Sequence, residues 1–74
     1  MKMEEIGQTI RKVRKVSGMT QLELAQLAGV GKASVFDVEK GKETVQLKTI
    51  MLIFNALNIT LTVQTPMDDY DEKS

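Results

Sequence analysis

The sequence contains no cysteine and no histidine. Without cysteine, the chain can form neither a disulfide framework nor a thiolate metal site. Without histidine, it lacks both the most common general base and the most common transition-metal ligand. We therefore expect a protein that carries no metal and no cofactor.

Long apolar runs are also missing. No segment reaches the length of a membrane span, and none has the pattern of a secretory signal peptide. A chain of 74 residues predicts a single small domain with a limited core. We expect a soluble cytoplasmic protein without a membrane partner.

Adjacent carboxylates are candidates for acid–base chemistry. Glu4 with Glu5 and Asp68 with Asp69 are two such pairs. A catalytic carboxylate needs a pocket that shifts its pKa. The first pair falls in the first turn of a predicted helix and the second pair in a predicted tail. The sequence therefore argues against an enzyme.

The net charge of zero hides an uneven distribution. Residues 1–66 contain nine lysines and arginines against six acidic residues, whereas residues 67–74 contain four acidic residues and one lysine. We predict a mildly basic domain over 1–66 and an acidic, disordered tail over 67–74. The basic balance alone is a weak indication of nucleic-acid binding, because many solvated surfaces have a similar charge.

The spacing of apolar residues predicts four helices, over residues 4–16, 21–28, 32–40 and 47–57. The first carries apolar residues at helical intervals: Ile6, Ile10, Val13 and Val16. Acidic residues in its first turn and basic residues in its last turn suit the helix dipole.

Residues typical of helix ends surround the second and third helices. Thr20 and Glu23 have the spacing of a capping box, and Gly29 and Gly41 are typical C-terminal stops. On the third helix, Val35 and Val38 share the side that we assign to the core.

The fourth helix and the segment after it contain more apolar surface than one small chain needs. Leu47, Ile50, Ile53 and Leu57 form one face of the helix, yet other apolar residues lie outside that face. The following "NITLTVQTP" alternates apolar and polar residues, which predicts a β-strand over 59–65 that Pro66 ends.

A lone strand leaves its backbone groups without partners. We therefore predict a homodimer in which the strand pairs with the same strand of a second protomer and the fourth helix adds contacts. The predicted dimerisation residues are Met51, Leu52, Phe54, Ile59, Leu61 and Val63.

The segment "TQLELAQLAGVGKASVFDVEKG", residues 20–41, contains two short helices joined by a Gly-Val-Gly turn. It resembles the lambda-repressor-like (Cro/XRE) helix-turn-helix family, and "VQLKTIMLIFNALN" follows the same family pattern. The resemblance covers roughly residues 6–57. It implies an all-α helix-turn-helix domain of about four helices that binds double-stranded DNA, here with a C-terminal strand that pairs between protomers.

A strand after the fourth helix, where phage repressors usually continue with a fifth helix, is similar to the HipB-type antitoxins. This resemblance implies a bacterial dimeric repressor that autoregulates its operon by binding a palindromic operator. It also implies a HipA-like kinase toxin as a partner.

The resemblance implies phosphate contacts at Gln21 and Ser34. Lys40 follows the third helix on its outward face, from which it can reach a phosphate. The resemblance also implies a pair between Arg14 and Glu39, which would hold the third helix and leave the arginine near a phosphate. Each polar residue has a simpler alternative role: Gln21 as a first-turn residue, Ser34 as a hydroxyl satisfying backbone amides, and Lys40 as a cation complementing the helix dipole.

The resemblance places Lys32, Ala33, Phe36 and Asp37 at base-facing positions of the third helix. A lysine can donate to guanine, and alanine or phenylalanine can contact a thymine methyl group. A carboxylate can accept a hydrogen bond from cytosine N4 or act against incorrect sites. Asp37 departs from the neutral polar residue that the family often has there.

Two other functions remain open on the sequence alone. The chain can be a stand-alone phage-like or chromosomal repressor that has no toxin partner. It can also be a protein-interaction module that no longer binds DNA, since an exposed aromatic residue beside an acid suits a protein interface.

Overall fold

The computed structural model describes residues 1–66, which form four helices packed around one core. The helices are α1 (Met3–Val16), α2 (Gln21–Ala28), α3 (Lys32–Glu39) and α4 (Leu47–Ala56). The prediction of an all-α domain of four helices is confirmed, and every helix boundary lies within one residue of its predicted position.

Local interactions explain where α2 begins and ends. The Thr20 hydroxyl accepts a hydrogen bond from the Glu23 amide at 3.1 Å, and the Glu23 carboxylate accepts one from the Thr20 amide at 2.8 Å. This reciprocal capping box satisfies amides that a helix start leaves unpaired. Gly29 ends the helix with a φ of 75°, which glycine adopts without steric cost.

The core takes side chains from all four helices. Its largest fully buried members are Ile10, Leu24, Val35, Val38 and Ile53. Burial of such a side chain contributes roughly 1.5–3 kcal/mol, so these five residues dominate the packing of the domain.

Two residues that we predicted on inward-facing sides are exposed. Val16 at the end of α1 and Leu47 at the start of α4 are open to solvent, because both lie at helix ends that extend past the core. Phe54, which we predicted to contact a second protomer, is instead buried in the core.

α1 and α3 approach each other at very short range. A Cβ atom at Gly7 would collide with the backbone carbonyl oxygens of Val38 and Glu39. At Gly41, where φ is 80°, a Cβ would lie 2.9 Å from the Cα of Glu4. Two glycines therefore let the N-terminal half of α1 pack directly on the C-terminal end of α3.

Residues 59–65 have no regular secondary structure, and no strand is present among residues 1–66. Asn58 leaves α4 with a φ of 58°, and the Ile59 amide donates to the Phe54 carbonyl at 2.8 Å. Pairing of this segment with a second protomer stays a prediction. The predicted acidic tail, 67–74, lies outside the described residues.

Candidate nucleic-acid interface

A buried ion pair connects α1 to the end of α3. Arg14 Nε donates to Glu39 Oε2 at 2.6 Å, and a terminal guanidinium nitrogen donates to Glu39 Oε1 at 3.0 Å. The two side chains are only 9% and 3% exposed, respectively. Such a two-point contact fixes the orientation of both groups as well as their distance.

Two further residues complete this network. The second terminal nitrogen of Arg14 donates to the Met19 carbonyl at 2.9 Å, and Gln21 Nε2 donates to Glu39 Oε1 at 3.1 Å. The Glu39 carboxylate therefore accepts hydrogen bonds from α1 and from α2. The network holds α3 against both helices at the end where its core contacts finish.

The charge state of the network is stable. The hydrogen bond to the Glu39 carboxylate raises the pKa of Arg14 above its ordinary value, although burial opposes the shift. The guanidinium is thus protonated at any physiological pH. Among residues 1–66, every buried side-chain nitrogen and oxygen has a hydrogen-bond partner.

The network changes how Arg14 and Gln21 are interpreted. Arg14 is buried and uses donors on all three of its side-chain nitrogens within the protein. This favours a positioning role over a phosphate contact. Gln21 is half-buried and keeps a second amide hydrogen for an external acceptor. The link between Gln21 and Glu39 was missed in the sequence, because it depends on how α2 and α3 pack.

The opposite side of α3 is open to solvent. Lys32 and Ala33 are exposed, Phe36 is 47% exposed, and Ser34 and Asp37 are partly exposed. Val35 and Val38 are fully buried on the other side, as the helical spacing predicted. The structure therefore brings all four candidate base-contact residues to the accessible surface of one helix.

A lysine covers the exposed ring. Lys40 Nζ lies 5.2 Å from the centroid of the Phe36 ring, one helical turn earlier. An ammonium group at this distance is attracted to the face of an aromatic ring. The contact holds a cation and an apolar surface together on the accessible side of α3.

Asp37 has a partner that the sequence analysis missed. Its Oδ2 lies 3.7 Å from Nζ of Lys42, just beyond the turn at Gly41. The pairing was not evident from helical periodicity, because Lys42 lies after the helix and the left-handed glycine reverses the chain. Lys42 therefore partly neutralises the negative charge of Asp37.

The predicted dimerisation residues occupy different environments. Met51 and Leu52 on α4 are 47% and 38% exposed, Leu61 and Val63 are exposed, and Ile59 is half-buried. Phe54 is covered within the protomer. The exposed members stay candidate contacts with a second protomer, whereas Phe54 belongs to the core.

No group of three or more carboxylates within residues 1–66 has the arrangement of a metal site. In the same part of the chain, each helix is too short or too polar to cross a bilayer.

Sequence comparison finds the Helix-turn-helix family over residues 10–64. An uncharacterized HTH-type transcriptional regulator of Sinorhizobium fredii is 36% identical over 62 residues, which are 84% of this chain and 82% of that protein. Antitoxin PezA of Streptococcus pneumoniae is 29% identical over 73 residues, but the chain spans only 46% of its length.

Solved structures show the same architecture. The restriction-modification controller protein C.AhdI from Aeromonas hydrophila is 34% identical and superposes with a TM-score of 0.70, covering 78% of this chain and 88% of C.AhdI. HipB, in a complex with an O2 20mer, superposes with a TM-score of 0.80 over 89% of this chain and 92% of HipB. At 24% identity, the likeness to HipB shows the fold alone. Together with the four helices and the network that holds α3, these matches place the chain in the helix-turn-helix family of Cro/XRE-type transcriptional regulators.

Proposed function

We propose that the protein is a sequence-specific repressor that reads DNA with the exposed side of α3. The observation that carries this proposal is the buried network of Arg14, Gln21 and Glu39, which holds α3 from behind while its outer side chains stay accessible. A recognition helix needs this combination, because base edges are read only when side chains are held in register with the groove.

Lys32, Ala33, Phe36 and Asp37 are the proposed base contacts. Ser34, Lys40 and the second amide hydrogen of Gln21 are the proposed phosphate contacts. Arg14 acts mainly by positioning α3, and it reaches phosphate only if its buried guanidinium moves.

A dimer is the proposed active form. Met51 and Leu52 expose apolar surface on α4, and the extended 59–65 segment carries further apolar side chains, so a second copy would bury both. Two-fold symmetry would then require a roughly palindromic operator whose half-sites lie about 34–36 Å apart, or a multiple of that distance.

We further propose an antitoxin role in a HipBA-like system, in which the protein represses its own operon and binds a kinase toxin through surfaces away from α3. The fold shared with HipB and the sequence relation to Antitoxin PezA support this proposal. A solved complex contains HipB together with HipA, O2 and O3.

A regulator without a toxin is the second candidate. Its support is the sequence identity of 34% to the restriction-modification controller C.AhdI, which exceeds the 24% identity to HipB. The neighbouring reading frame distinguishes the two candidates: a kinase-like gene beside this one favours the antitoxin, and restriction or methylation genes favour a controller.

Both candidate functions require DNA binding. Measuring the binding of the full chain to duplex DNA at several salt concentrations tests this requirement. A protein that contacts phosphates releases counterions, so its affinity must fall steeply as salt rises. DNA from the region upstream of its own gene should bind more tightly than a shuffled duplex of the same composition. A protein-interaction module that does not bind DNA would show neither the salt dependence nor the preference for the upstream DNA.

A further inference from the structure

Asp37 is the one acidic residue of α3 outside the buried network. Its backbone carbonyl accepts a hydrogen bond from the Lys42 amide at 3.0 Å, and its carboxylate lies 3.7 Å from the ammonium group of the same lysine. The backbone contact depends on the left-handed turn at Gly41, where φ is 80°. Lys42 is thus tied to Asp37 through the main chain, independently of the attraction between the charges.

The pair borders a shallow polar depression between α3 and the start of α4. The other residues that line it are Ser34, Thr44, Val45, Gln46 and Thr49. Asp37 and Ser34 lie one turn apart on α3, so a base contact at one and a phosphate contact at the other are compatible with a single pose. The carboxylate is partly exposed and can reach a partner outside the protein.

The hydrogen-bonding chemistry of a carboxylate limits what it can read. An ionised carboxylate only accepts hydrogen bonds. In the major groove, guanine offers only acceptors, thymine offers an acceptor and a methyl group, and the amino group of adenine stands beside the N7 acceptor. Cytosine alone presents the N4 donor without an adjacent acceptor on the same base.

A carboxylate in the groove is repelled by the negative charge of the DNA backbone, and Lys42 can reduce this repulsion. The Lys42 side chain is more than half exposed, and exposed ion pairs contribute little to stability, so its ammonium group can move toward a phosphate without a large loss. Lys42 as a residue still lies near Asp37, because its backbone amide donates a hydrogen bond to the Asp37 carbonyl.

We propose that Asp37 specifies a cytosine in the operator and that Lys42 is a positioning residue that neutralises and orients its carboxylate. This inference rests on the proposed DNA-binding function. It adds Lys42 to the residues that determine specificity, and it assigns to Asp37 one base rather than general repulsion of incorrect sites.

The test measures base preference and overall affinity separately. Full-length wild type, Asp37→Asn, Asp37→Ser, Lys42→Met and the Asp37→Asn/Lys42→Met double variant are each selected against a duplex library. Dissociation constants are then measured for the selected sequence and its single-base variants. Lys12→Met is the matched control, since it removes the same charge from the exposed side of α1.

We expect wild type to prefer cytosine at one position of each half-site by about tenfold or more. Asp37→Asn should lose that preference and turn toward adenine, because an amide can both donate and accept. Asp37→Ser should also lose the preference for cytosine. Lys42→Met should reduce the preference in the wild-type background and leave base preference unchanged in the Asp37→Asn background, whereas Lys12→Met should leave the wild-type preference unchanged.

An unchanged base preference in both Asp37 variants would overturn this inference and leave the proposed DNA binding intact. Equal effects of Lys42→Met in the two backgrounds would overturn the role of Lys42. If wild type showed no salt-dependent DNA binding, the proposed function and this inference would fail together.

Discussion

The Cβ position of Gly7 points at the backbone carbonyl oxygen of Val38, with no space for a methyl group between them. A glycine inside a helix normally weakens it by roughly 0.5–1 kcal/mol relative to alanine. Here the glycine allows α1 to contact the main chain of α3, so its cost to α1 is offset by the close packing of the two helices.

Gly7→Ala should therefore destabilise the domain, although alanine is the better helix former. The added methyl group would force the backbone of α1 or of α3 to shift, and such overpacking costs about 1–3 kcal/mol. Urea denaturation followed by circular dichroism measures the change. Gln8→Ala, at an exposed position of the same helix, is the control and should have almost no effect. A stabilised Gly7→Ala protein would show that the helices separate freely.

Glu39→Ala should be among the most destabilising single substitutions. It leaves the buried Arg14 without its anion, and breaking a buried pair costs about 3–5 kcal/mol. Replacing both residues, as in Arg14→Met/Glu39→Leu, should recover much of the loss, because no unpaired charge is then buried. Denaturation midpoints of the single and double variants supply the comparison, and Glu43→Ala in the exposed loop is the control.

The raised pKa of Arg14 also limits how this pair responds to pH. A cation whose pKa is higher in the folded state contributes stability that is lost only as pH rises through that value. We therefore expect no alkaline loss of stability from Arg14 between about pH 7 and pH 10. A titrating decline in that range that disappears in the double variant would contradict this assignment.

Phe36→Ala should weaken DNA binding selectively and leave the fold intact. Phe36 is 47% exposed, lies opposite the buried valines of α3 and is not part of the core, so its removal leaves the core packing in place. The expected loss is about 1–3 kcal/mol, confined to operators with one particular base pair. Melting temperature and binding to a randomised operator library are measured together. Equal binding to every operator, or unfolding, would place the ring in another role.

Lys40→Ala should weaken binding to all sequences alike. Its ammonium group lies on the accessible side of α3 over the Phe36 ring, where it can reach a phosphate. Loss of one phosphate contact should flatten the slope of log affinity against log salt by about one unit. Lys12→Ala is the control and should leave the slope unchanged. An unchanged slope in Lys40→Ala would show that Lys40 does not contact a phosphate.

Leu52→Glu should dissociate the proposed dimer. Leu52 is partly exposed on α4, and a charge there would have to be buried against the second protomer. Sedimentation at micromolar concentration should show a dimer for wild type and a monomer for the variant. Leu27→Glu on α2, which is also exposed, is the matched control. A monomeric wild type would remove the basis for a palindromic operator.

The helices were predictable because their signals are local. The capping box at Thr20 and the stop at Gly29 each depend on a few neighbouring residues, and apolar spacing indicated which side of α3 is buried. Interactions across the fold were harder to predict. The contacts of Gly7 with α3, of Gln21 with Glu39 and of Asp37 with Lys42 all require knowledge of how the chain packs or turns.

The separation between the buried and exposed sides of α3 has a consequence for how such proteins diversify. Val35, Val38 and Glu39 tie the helix to the domain, and none of the four proposed base-contact residues is fully buried. Replacing those four residues would leave the scaffold almost unchanged. If the proposed function holds, new operator preferences would arise by exchange of these exposed side chains, without passing through sequences that fail to fold.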